Sequence, residues 1–144
     1  MRDAGSEIRQ RLLDIYARLY ERFGPQHWWP GDGAFEVIVG AILTQSTNWA
    51  NVSKALDNLK QAGVLSIEGL AALPDQHLAD LIRPSGYYQA KTRKLRAFVN
   101  LLVEQYQGNL DSLLALDLSA LRVVLLGTHG IGPETADSII LYAA

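Results

Sequence analysis

The sequence predicts an all-α domain of short helices, and three observations carry that prediction. Apolar residues recur at steps of three and four along nearly the whole chain. No segment alternates apolar and polar residues with period two between turn residues; "FEVIVGAIL" has the composition of a strand, but its neighbours favour helix. The links are short, broken by Gly and Pro, and contain no low-complexity tract or internal repeat. A chain of 144 residues with 49% hydrophobic content then makes one domain, residues 1–144, able to bury a core.

The elements follow in order. Ile8, Leu12, Ile15, Leu19 and Phe23 form one face of a first helix, with Ser6 placed to cap it and Gly24-Pro25 to stop it. "AFEVIVGAILTQ" is apolar nearly all round, as a helix at the centre of a bundle would be. "TNWANVSKALDNLKQAG" turns Val52, Ala55, Leu56 and Leu59 inward and ends at Gly63. Two short pieces come next, "SIEGLAAL" and "DQHLADLI", the second with Asp75 expected as its N-cap after Pro74. A longer helix from about Tyr88 to Tyr106 places Leu95, Phe98, Val99, Leu102 and Tyr106 inward. "DSLLAL" and "LSALRVVLLG" are the next two, and the last helix opens at Pro133.

Composition removes several classes of function. There is no cysteine, so these residues build no disulfide, zinc thiolate site or iron–sulfur cluster. His27, His77 and His129 lack ligand spacing, so no metal site is expected. The N-terminal stretch has charges every few residues and no signal-peptide core, and no apolar run reaches about 18 residues, so a cytoplasmic protein without a membrane span is expected. The net charge of -2 hides a local excess, because "RPSGYYQAKTRKLRAF" holds Arg83, Lys91, Arg93, Lys94 and Arg96 and no acid. A solvated helix face and a nucleic-acid contact both account for such a run.

"LLGTHGIGPETADSIILYAA" closes the chain with two glycines around one isoleucine, then a proline that opens a helix. Gly130 and Gly132 suit a tight turn because glycine reaches positive φ without a Cβ clash. Pro133 at the first helical position loses no N–H that was needed. The N–H groups of that helix terminus point outward and favour an anion, phosphate above all, although many Gly-x-Gly turns do no more than end a helix.

These residues resemble the helix-hairpin-helix of the endonuclease III-like DNA glycosylases, whose pattern is roughly Leu-Pro-Gly-Val-Gly-x-x-Thr-Ala. Two further segments resemble the family in order: "FEVIVGAILTQSTNWANVSKAL" and "LADLIRPSGYYQAKTRKLRAFVNLL". The matches cover residues 28–144, with the helix-hairpin-helix at about 118–144. "HWWPGDGAFE" and "LTQSTNW" are most similar to the type III 3-methyladenine DNA glycosylases. His129 stands where that family usually has proline.

The resemblance implies a helix-hairpin-helix glycosylase fold acting on double-stranded DNA that carries a damaged base. It implies a base pocket with Trp29 and Trp49 sandwiching an extruded alkylated purine, Pro30 stiffening its wall and Glu134 nearby, while Trp28 reads as a core residue. Gln45 and Tyr87 fall where the family wedges the duplex apart. Gly130, Ile131, Gly132, Thr135 and Lys91 fall where it meets phosphates. No cofactor is implied beyond a monovalent cation held by hairpin carbonyls. Core packing accounts for the tryptophans as well, a helix-terminal bond for Gln45, and a packed loop aromatic for Tyr87.

One departure is informative. Family members that also cleave the strand carry a lysine two residues past the second hairpin glycine, and here that residue is Glu134. The implied reaction is hydrolysis of the N-glycosidic bond alone. The family's catalytic aspartate lies some ten residues beyond the hairpin helix, so it is expected past Ala144, in a chain truncated at its C-terminus. That leaves no catalytic residue within 1–144 and predicts self-association through apolar surface left uncovered. The alternatives are a non-catalytic helix-hairpin-helix module that binds DNA and, less specifically, a helical protein–protein adaptor.

Overall fold

The computed structural model describes residues 4–144, all-α as the sequence predicts, with no strand among them. It comprises two compact units that divide between Pro30 and Gly31.

In the first unit, α1 (Ala4–Phe23) holds Ser6 inside its first turn, not at the cap position that the sequence predicts for it. The helix ends at Gly24, which adopts φ +66° and donates its N–H to the Tyr20 carbonyl at 2.8 Å. The predicted stripe of Ile8, Leu12, Ile15, Leu19 and Phe23 is present, and each of these side chains is exposed. Trp28, expected in the core, is half exposed, with its ring tilted 5.7 Å from that of Trp29.

The second unit holds the core. Its elements are α2 (Ala34–Leu43), α3 (Trp49–Gln61), α4 (Ile67–Ala72), α5 (Asp75–Leu81), a 3-10 turn at Arg83–Ser85, α6 (Tyr88–Tyr106), α7 (Leu110–Leu114), α8 (Leu118–Leu126) and α9 (Pro133–Ala143). Every residue of α2 from Glu36 to Leu43 is buried, and this helix packs against α3, α6 and α9. Full burial of side chains such as Ile38 and Ile42 contributes about 1.5–3 kcal/mol each. The interior Glu36 is satisfied at both oxygens: Lys60 lies 2.7 Å from one, and the Asp32 N–H donates to the other at 3.0 Å.

Side chains start the helices. Asn48 caps α3 by accepting from the Asn51 N–H, Ser66 caps α4 from Gly69, and Asp117 caps α8 from Ser119 and Ala120. At α5 the cap position is Pro74 and Asp75 is the first helical residue, one place later than expected. An acid there still interacts well with the helix dipole. Among the described residues no helix is long and apolar enough to cross a membrane.

Candidate nucleic-acid interface

Helices α8 and α9 form a hairpin around residues 127–132. Thr128 ties the turn to α8, its hydroxyl donating to the Val124 carbonyl at 3.0 Å and its N–H to Leu125 at 3.0 Å. Ile131 drives its side chain into the core and donates its N–H to the Thr128 carbonyl at 3.1 Å. Arg122 of α8 grips Asp137 of α9 through two hydrogen bonds of 2.7 and 3.1 Å, which hold the Asp137 carboxyl below its usual range.

The two glycines differ, which the sequence did not predict. Gly130 has φ +84°, and a Cβ built there would overlap the Lys94 stem lying across it. Gly132 has φ -90° and ψ -178°, which any residue adopts, and a Cβ there would meet nothing within 4 Å. Positive φ therefore explains glycine at 130 and not at 132. Pro133 then opens α9, whose first-turn N–H groups have no partner within the helix. The turn, Gln45 and Lys94 line one open groove of about 610 Å³.

Gln45 is committed to this hairpin. Its amide nitrogen donates to the Gly130 carbonyl at 2.9 Å and to the Thr135 hydroxyl at 3.0 Å, and its oxygen accepts from the Lys94 ammonium. Lys94 thus joins α6 to the groove, a part that sequence reasoning missed; only its place in the basic run hinted at it. Glu134 is exposed on the first turn of α9. Tyr87 is 74% exposed in a left-handed conformation (φ 45°) at the start of α6, so it is not packed on its neighbours.

Three residues expected to meet phosphate face inward. Ile131 and the Thr135 side chain are buried, the latter with its hydroxyl taken by Gln45. Lys91 is only 1% exposed, and its ammonium donates to the carbonyls of Leu43 at 2.8 Å and Ser85 at 2.6 Å. Loss of water around it, with help from the nearby Lys94 charge, lowers its pKa to about 8. The rest of the basic run is dispersed too. Arg83 pairs with Asp80 and lies over the Tyr88 ring, while Arg96 pairs with Asp75 and caps the Leu70 and Leu73 carbonyls. Arg93 stays exposed. The run is thus neither a uniform solvated face nor a continuous contact stripe.

Trp29 and Pro30 belong to the first unit and Trp49 opens α3 in the second; both indoles are partly exposed. Among the described residues no cluster of three or more His, Asp or Glu side chains could hold a metal ion.

Comparison with known proteins gives a consistent picture. Residues 39–134 match the family described as HhH-GPD superfamily base excision DNA repair protein. A Methanocaldococcus jannaschii protein, provisionally named DNA repair glycosylase MJ1434, is 41% identical over 136 residues, 93% of this chain and 61% of that relative. Among solved structures, the H. pylori 3-methyladenine DNA glycosylase MagIII, bound to 1,N6-ethenoadenine, superposes with a TM-score of 0.78 at 31% identity. That match covers 93% of this chain and 63% of the other. An endonuclease III–DNA complex shares the fold with a TM-score of 0.76 at 22% identity, over 93% and 59% of the two chains. The chain thus spans about six-tenths of the length of each of these proteins.

Proposed function

The chain belongs to the HhH-GPD superfamily of base excision DNA repair proteins, and from that premise we infer that it binds duplex DNA and holds a damaged base for a monofunctional glycosylase. The observation that carries this reading is Gly132. Its backbone needs no glycine and its Cβ space is empty, so the missing side chain leaves room for something that approaches from outside. Next to it stand the first-turn N–H groups of α9, suited to a phosphate.

A base inside a duplex is out of reach, so the nucleotide is flipped out at a cost of a few kcal/mol. In this reading Trp49, at the start of α3, offers an indole face to an alkylated purine, a cation that such faces attract by roughly 0.5–2 kcal/mol. The sequence match of Trp29 and Trp49 to the aromatic pair of the type III 3-methyladenine glycosylases, and the likeness to MagIII, support that substrate class. Glu134 supplies no amine for a Schiff base with the sugar, so the reaction is hydrolysis that leaves the strand intact. Asp137 is held by Arg122 and Glu134 lies in the first turn of α9, so neither is assigned a catalytic role. A cytoplasmic location and self-association through exposed apolar side chains of α8 and α9 complete the proposal.

The second reading is a DNA-binding module without catalysis. It draws on Gln45, whose amide is spent on the hairpin when it would have to reach a gap in the duplex. Methylated duplex DNA, with released base and nicked strand measured separately, separates the two. The glycosylase reading expects base release without nicking. No release supports the module, and nicking without added base or heat refutes the role drawn from Glu134.

A further inference from the structure

Lys91 lies at the inner end of a cleft of about 220 Å³ whose wall includes Gln45, Tyr87 and Lys94. Its ammonium bridges two buried carbonyls from separate segments. Leu43 is the last residue of α2, where carbonyls lack helical partners and the dipole favours a cation. Ser85 ends the 3-10 turn, its hydroxyl bonded back to the Ile82 carbonyl at 2.7 Å. Each anchored carbonyl precedes by two residues a side chain that the family resemblance sets where the duplex is wedged apart: Gln45 after Leu43, and Tyr87 after Ser85. Between anchor and side chain the backbone is tightly turned, with positive φ at Gly86 and Tyr87 and, just past Gln45, at Ser46.

We propose that Lys91 is a positioning residue: its bridge between the Leu43 and Ser85 carbonyls fixes the separation of the Gln45 and Tyr87 segments so that both enter one opened base step. This rests on the glycosylase reading. The charge never touches DNA, because Lys91 is buried beneath the segments it holds. Without it, two buried carbonyls lose a charged donor while the 130–133 turn keeps all its own hydrogen bonds. Its loss should therefore separate two binding activities: recognition of a distorted site falls, and the grip on intact duplex stays.

The test uses Lys91→Met and, in parallel, Lys91→Gln, which keeps N–H donors on a shorter stem. Duplexes with and without an abasic-site analogue are titrated by fluorescence anisotropy. Lys91→Met is expected to lower the preference for the abasic duplex by about tenfold, the scale of one hydrogen bond to a charged group. Intact-duplex binding should stay within about threefold of the unaltered chain, by the same relation. In a Gln45→Ala/Tyr87→Ala background, Lys91→Met should change that preference no further. An equal loss on both duplexes, or a full effect in that background, overturns the proposal.

The spacing itself can be read without relying on either Lys91 variant. The chain contains no cysteine, so Gln45→Cys and Tyr87→Cys give two unique spin-label sites. With Lys91 present, electron–electron distances should form one narrow distribution, and in any folded Lys91 variant a broadened one. A broad distribution with Lys91 intact overturns the proposal. Absence of binding to either duplex refutes the glycosylase reading, while the label distances still decide the role of Lys91.

Discussion

Alanine at Gly130 and alanine at Gly132 should have opposite consequences, although the two positions share one turn. At φ +84° an alanine pays about 1–2 kcal/mol for the left-handed conformation. Its Cβ also displaces the Lys94 stem and breaks the ammonium's bond to Gln45, a further 1–2 kcal/mol or so for a part-buried charged hydrogen bond. Unfolding entropy of about 2.1 cal/mol/K per residue converts the total of roughly 2–4 kcal/mol into a Tm loss of about 7–13 °C for this length. Gly132→Ala meets no atom and no strain, so its Tm should be unchanged or raised, by at most about 1 kcal/mol from a stiffer unfolded chain. Binding reverses the order of interest. The Gly132 methyl group stands where a phosphate would approach, and losing one such contact reduces the slope of log affinity against log salt by about 0.9. Circular dichroism melts and anisotropy titrations from 50 to 300 mM salt, about the range where such slopes are resolved, measure both. Gly132→Ala or →Val that binds duplex as the unaltered chain does removes the hairpin from the account. Gly130→Ala that melts as the unaltered chain does refutes the strain argument.

Three further outcomes are expected. Trp49→Ala should weaken free alkylated-purine binding by about 1–3 kcal/mol in a fluorescence-quenching titration, if its indole is a stacking platform; unchanged affinity removes it from base recognition. The lowered pKa of Lys91, about 8 against 10.5 unfolded, means the unfolded chain binds more protons between those values, so stability rises with pH across that window. From pH 7 to 9.5 urea melts should show a gain of about 2 kcal/mol, absent in Lys91→Met; Lys60, whose pKa is raised by its hydrogen bond to Glu36, loses its contribution only above 10.5. Val123 and Leu141 are each 70% exposed, so sedimentation of residues 1–144 should show concentration-dependent association, reduced by Val123→Lys/Leu141→Lys; a monomer at every concentration refutes it.

Much of the fold was legible because helix periodicity and turn residues act locally. The buried α2, the inward face of α3, that of α6 as far as Leu102, and Pro133 as the start of α9 are where their spacing puts them, while Tyr106 at the end of α6 is only half-buried. The misplaced caps at Ser6 and Asp75 are short shifts, since an acid or hydroxyl suits a first turn as well as a cap. Tertiary partners were the harder part. Lys91 stands four residues before Leu95 and seven before Phe98, on the inward face, so its burial was readable from spacing that its charge obscured. Arg96 is drawn to carbonyls at the end of α4, which no pattern in its own helix announces. The unlike roles of Gly130 and Gly132 depend on the Lys94 stem, brought from α6 by packing.

If this hairpin holds duplex DNA by its phosphates, binding by residues 1–144 must depend on salt. Intact duplexes of unrelated sequence should bind with the same slope, about -0.9 for each of one or two phosphates, and Gly132→Val should give a shallower one. Binding that is absent, independent of salt, or unaltered in the Gly132→Val chain would contradict it.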